Sequence, residues 1–71
     1  MMTWQPIDGS SNVAAVGYDE DTRTLGVRFH NGTQGEYANV PPEKHDAMLN
    51  APSAGRFLNR ELKNKHAWSR A

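Results

Sequence analysis

Apolar and polar residues alternate most cleanly between Thr24 and Tyr37. Leu25, Val27 and Phe29 are interleaved with Thr24, Gly26 and Arg28, the period of a strand with one buried face, and Asn31-Gly32 follows as a turn signal. A two-residue Asn-Gly turn would set Phe29 opposite Gln34 and Val27 opposite Glu36, which puts polar side chains on the core face. A three-residue loop of His30, Asn31 and Gly32, with Gly32 left-handed, instead pairs Phe29 with Thr33, Val27 with Gly35 and Leu25 with Tyr37. Parity therefore predicts the longer loop, with Tyr37 facing the core and Glu36 facing away.

The rest of the chain is arranged around this hairpin. Met1 to Asp8 reads as an extended lead-in whose Trp4 and Ile7 cap one end of the core, and Gly9-Ser10-Ser11-Asn12 as a turn. Val13 to Tyr18 is apolar on both alternating faces and predicts a strand; Asp19-Glu20-Asp21-Thr22 predicts an exposed hairpin connection. Val40-Pro41-Pro42 stops the sheet and pre-sets a helix over Glu43–Ala51, with His45, Met48 and Leu49 on one face. Pro52 ends that helix. Ser53 is placed to N-cap a second one from Ala54 to about Lys65, with Ala54, Phe57, Leu58 and Leu62 as its apolar stripe and Gly55 admitted for close packing. His66 to Ala71 is expected to fray, although Trp68 would gain by docking. The fold class is α+β: a three-stranded antiparallel meander followed by two helices on one face (β-β-β-α-α), as a single domain over residues 1–71.

At 71 residues the core is small, because a chain of this size buries only ~60% of the surface it exposes unfolded. Without cysteine it has neither a disulfide framework nor a thiolate metal site, and without a long apolar run it has no candidate membrane span. A cytoplasmic location is the default expectation. Charge is neutral in sum but lopsided. Residues 53–71 carry five cations against Glu61 alone, +4, and residues 1–52 carry the compensating −4. Such a split marks either an anion-binding face or the solvated side of an amphipathic helix.

Candidate chemistry is sparse. Arg56, Arg60 and Lys63 fall at i, i+4 and i+7 on the second helix, opposite its apolar stripe, and a basic stripe of this kind can track phosphates. Tyr37 and Arg28 are candidate base contacts, with a core role as the alternative for Tyr37. Ser10 and Ser11 offer hydroxyls either to a phosphate or to the backbone of their own turn. The histidines stand singly at 30, 45 and 66, so no metal site is expected. No nucleophile elbow or phosphate loop accompanies any serine or glycine, and neither enzymatic activity nor a cofactor is expected.

The ordered set Ser10-Ser11-Asn12-Val13, Val16-Gly17-Tyr18-Asp19, Leu25-Gly26-Val27-Arg28-Phe29, Gly32, Val40-Pro41 and Ala51-Pro52-Ser53-Ala54-Gly55-Arg56-Phe57-Leu58-Asn59 resembles the KTSC domain family. That family takes its name from a C-terminal extension of some lysyl-tRNA synthetases. The resemblance runs from roughly Trp4 to His66 and identifies a stand-alone copy of a kind common in bacteria and phages. It leads one to expect a Tyr-x-Tyr pair before Val40-Pro41, where this chain has Gly35-Glu36-Tyr37, and larger aromatics at His45 and His66. If the tyrosine pair stacks ligands, half of it is missing here. By association with a tRNA-charging enzyme the resemblance implies RNA as a candidate ligand. The leading expectation is a small non-enzymatic binding module for RNA. The alternative is a protein-interaction or self-associating domain that uses Trp4, Trp68 or a sheet edge.

Overall fold

Strand pairing follows the parity of the side chains. The computed structural model describes residues 2–70 and contains the strands β1 (Thr3–Pro6), β2 (Val13–Asp19), β3 (Thr24–Phe29), β4 (Gln34–Tyr37) and β5 (Trp68–Arg70) in one antiparallel sheet of order β1-β2-β3-β4-β5. Leu25 pairs with Tyr37 and Val27 with Gly35. The connecting loop is the three-residue one: the Phe29 amide donates to the Thr33 carbonyl (2.8 Å) and Gly32 takes φ +91°. Tyr37 is buried beside Leu25 and Val27, while Glu36 is exposed.

The expected three strands are in fact five. The lead-in forms β1, an edge strand in which Pro6 does no harm because an edge residue need not donate to a ladder. The tail forms β5 against β4, with Tyr37 opposite Trp68 and Gly35 opposite Arg70, so the expectation of a frayed end is wrong for residues 66–70. Met1 of the lead-in and Ala71 of the tail lie outside the described residues. In β2 a bulge between Val13 and Ala15 inserts one extra residue, which is how Val13 and Val16, three apart, both point into the core.

Helix α1 (Pro42–Leu49) begins with Pro42 in its first turn behind an extended Pro41 and buries Met48. Helix α2 (Ala54–Phe57) is capped by Ser53, whose hydroxyl accepts from the Arg56 amide (3.3 Å), as its position predicts. It continues into a π-helical turn (Leu58–Leu62), and the pair covers the core face of the sheet with Ala54, Phe57, Leu58 and Leu62 buried. The helix stops at Leu62 rather than near Lys65, for two reasons. Lys44 donates to the Glu61 carbonyl (2.9 Å), and Asn64 reverses the chain at φ +69°, the conformation that commonly ends helices. Gly55 is not needed for close packing, since a Cβ there would meet only Asn12 at an ordinary 3.6 Å.

The opposite sheet face has its own filling. Trp4 does not cap the core but lies across Gly17 and Gly26 of adjacent strands, where a Cβ would come within 2.7–2.8 Å of Trp4 or Met2. Two glycines in register thus form a slot for the N-terminal side chains. Among the described residues of the lead-in, Ile7 is the one that packs against the main core. Among the described residues no helix is long and apolar enough to cross a membrane.

Candidate functional site

The structure separates the residues that the sequence grouped. Arg56, Arg60 and Lys63 are all exposed, but only the first two share a helix. Lys63 follows the π turn in extended conformation (φ −62°, ψ 129°) and donates its amide to Leu58, so the expected i, i+4, i+7 stripe ends at Arg60. Arg60 sits 5.9 Å from the centre of the Phe57 ring and pairs with Glu61 (3.2 Å) rather than with the acidic β2–β3 loop. Tyr37 and Arg28 lie on opposite faces of the sheet. Tyr37 is buried, and desolvation pushes its hydroxyl above the usual pKa. Arg28 stands over the Trp4 ring at 4.7 Å and donates to Gln34 (3.0 Å), bracing the glycine slot. Ser10 accepts from the amides of Asn12 (3.3 Å) and Val13 (3.0 Å), a turn-building role, while Ser11 is exposed beside Asn12, His30 and Asn31.

What the fold does bring together centres on Trp68. Its ring rests on Tyr37 (4.8 Å between centroids, 52° between planes) and meets Phe29 edge-on (6.1 Å, 64°). It also fills the volume above Gly35: a Cβ there would overlap Trp68 Cζ2 and Cη2 and come within 2.8 Å of the Ser69 carbonyl. The indole from β5 therefore occupies the place where the family resemblance led us to expect a tyrosine from β4. Trp68 is 40% exposed, which leaves part of its ring open to a hollow of about 550 Å³ lined by Leu58, Asn59, Lys63, Asn64 and His66.

His66 holds this strand in position. Its Nδ1 lies 3.0 Å from the Ala38 carbonyl and its Nε2 3.0 Å from Lys44 Nζ. An ammonium can only donate, so in this arrangement Nε2 accepts from Lys44 and Nδ1 donates to Ala38. Lys44 thereby links α1 to the π turn and to the approach to β5. The other histidine that replaces an expected aromatic, His45, stacks flat on Tyr18 (4.7 Å, 10°), whose hydroxyl donates to the Val40 carbonyl (2.5 Å). Its Nε2 is buried without a hydrogen-bond partner; desolvation holds its pKa below the usual value, against the pull of Asp46 and Glu20. Among the described residues no group of three or more His, Asp or Glu is placed to hold a metal ion.

Sequence reasoning placed Lys63 at the site but missed the hollow itself. Trp68 was visible only as a large apolar residue in a polar tail, and the signal that would have anchored it was Gly35, a gap in a strand that demands a neighbour's side chain.

Comparison with known proteins agrees with the resemblance. A protein of Tsukamurella paurometabola is 46% identical over 55 residues, which cover 78% of this chain and 81% of that one. An uncharacterized protein of Stutzerimonas stutzeri is 40% identical over 57 residues, 80% of each chain. A lysine–tRNA ligase of Nostoc punctiforme matches at 40% over 48 residues, 68% of this chain but 9% of the ligase. The crystal structure of a KTSC domain protein from Yersinia pestis superposes with a TM-score of 0.91 at 33% identity, covering 100% of this chain and 99% of that one. The model of the KTSC domain matches residues 9–66, and the chain belongs to the KTSC domain family.

Proposed function

We propose that this chain is a non-enzymatic, RNA-binding module that engages its ligand at the Trp68 hollow. The observation that carries the reading is Trp68, 40% exposed beside a depression whose rim holds Lys63, within a segment of net charge +4. An exposed aromatic beside cations is what unpaired bases and their phosphates require: stacking contributes about 1–3 kcal/mol per base, and neutralised phosphates release counterions. A relative named for its action with tRNA supports the choice of RNA. Arg56 and Arg60 extend the cationic surface along α2 and the π turn, while Arg28, on the other face, belongs to the Trp4 slot.

The test is anisotropy of a labelled single-stranded RNA at low salt. The Arg56→Ala, Arg60→Ala, Lys63→Ala triple variant should bind several-fold more weakly than the parent, and Arg28→Ala should bind as the parent does. Loss of binding on Arg28→Ala with the triple variant unaffected would move the site to the other face. The rival reading rests on the open edge of β5, which carries Trp68 and can accept another strand. It predicts no RNA binding at any salt and a mass in sedimentation that rises with concentration.

A further inference from the structure

We propose that the unit recognised at this site is a single unpaired base, seated on Trp68 with its phosphates held by Lys63 and Arg70. This inference rests on the RNA reading above and names its ligand more narrowly. A run of stacked bases needs a row of open, parallel rings, and the aromatic neighbours of Trp68, Tyr37 and Phe29, are inclined to it by 52° and 64°. Tyr37 is 5% exposed against the indole, the half-buried Phe29 is inclined 64° to Trp68 and so does not continue a parallel stack, and Trp4 is across the sheet under Arg28. A second base would find no ring parallel to Trp68.

The surroundings of that ring fit a base and not an aliphatic side chain. Leu58 gives an apolar floor, and the exposed residues Asn59 and Asn64 bring carboxamides, each with a donor and an acceptor, to the rim. His66 lines the same hollow but both of its ring nitrogens are already engaged, by Lys44 and by Ala38, so edge recognition falls to the two asparagines. Lys63 leaves the helix on one side of the hollow. Arg70 lies two residues beyond Trp68 in β5, hence on the same sheet face and roughly 6.7 Å along the strand, beside the Asn31–Gln34 turn. One cation thus lines the hollow and a second lies further along the same strand face. A paired base cannot reach it, because in a helical stem both of its faces are already covered by neighbours.

Three loopless RNA duplexes of two annealed strands separate the possibilities: fully paired, the same stem with one bulged nucleotide, and the stem with a three-nucleotide bulge. The single bulge should bind the full chain roughly tenfold more tightly than the paired stem, a factor that stacking of one base supplies. Enlarging the bulge to three should add less than about threefold, since no further ring lies parallel to Trp68. A 2-aminopurine at the bulge should be quenched on binding to the unaltered protein, so the result does not depend on a variant that might misfold. Trp68→Ala, with its fold checked by circular dichroism, should bring the bulged and paired stems to equal affinity. Equal affinity of the two stems for the parent, or an unquenched 2-aminopurine, overturns the single-base inference while leaving RNA binding standing. Tenfold gain with the larger bulge overturns it in favour of a multi-base platform. Failure of every RNA to bind at low salt removes the RNA reading and the inference together.

Discussion

Gly35 and Trp68 behave as one structural unit, although 33 positions separate them in the sequence. Because a Cβ at Gly35 overlaps the indole, Gly35→Ala should destabilise the chain by about 1–3 kcal/mol, as overpacking does, and should shift Trp68 fluorescence toward a more solvated ring. In a Trp68→Ala background the same change should cost clearly less. Urea denaturation of the four chains reads the coupling directly, and equal cost in both backgrounds would show that the Ser69 carbonyl, not the ring, is the obstacle. His45 makes a second residue-scale case. Its folded pKa lies below the ordinary value of 6.5 through desolvation, so the unfolded chain binds the extra proton first. Stability from this residue is therefore complete above about pH 6.5 and declines as pH falls below it. His45→Phe keeps a ring on Tyr18 and should flatten thermal stability between pH 7 and pH 5; an unchanged slope would assign the loss to other groups. The side-chain period of two made the Tyr37 and Glu36 faces readable from sequence. It was equally present in Trp4 and the two glycines, but only the register of β2 against β3 brings the glycines together as a slot.

At the scale of elements, the strong periods were legible and the short contingent pieces were not. β2, β3, β4 and both helices lie close to where alternation, proline and the Ser53 cap put them. β5 is three residues long and exposed throughout, so it carries no alternation to detect; it exists because β4 offers an unpaired edge and Gly35 offers space. The early helix end had a signal, Asn64 after the last apolar residue, but its force came from Lys44, a residue in another helix. That side chain joins three elements, which makes its removal informative. Lys44→Ala leaves the Glu61 carbonyl and His66 Nε2 without their donor, and hydrogen bonds to a charged group contribute about 1.5–3 kcal/mol. We expect a loss of that size in total stability. Hydrogen exchange should localise it, with faster exchange at Ala38 and in β5 and little change at β2–β3. Uniform acceleration across the sheet would instead mean that β5 does not open on its own.

For the whole molecule the governing feature is charge that cancels in sum and separates in sequence, −4 over residues 1–52 and +4 over residues 53–71. A neutral chain has no strong long-range field to steer an anion, so RNA binding rests on local contacts and its salt dependence counts them. For single strands the slope of log K against log salt is about −0.7 per phosphate neutralised. Lys63 and Arg70 alone would give a slope of about −1.4, and adding Arg56 and Arg60 about −2.8. Arg60 already shares charge with Glu61, which favours a value between these limits. The triple variant lacking Arg56, Arg60 and Lys63 retains Arg70, and its slope should fall to about −0.7. A parent slope steeper than about −4 would demand more cations than this face presents, and would bring in Arg28 or Lys65 through a ligand that wraps around the sheet edge. A slope near zero with binding intact would leave stacking on Trp68 as the sole contact and would remove the cations from the site.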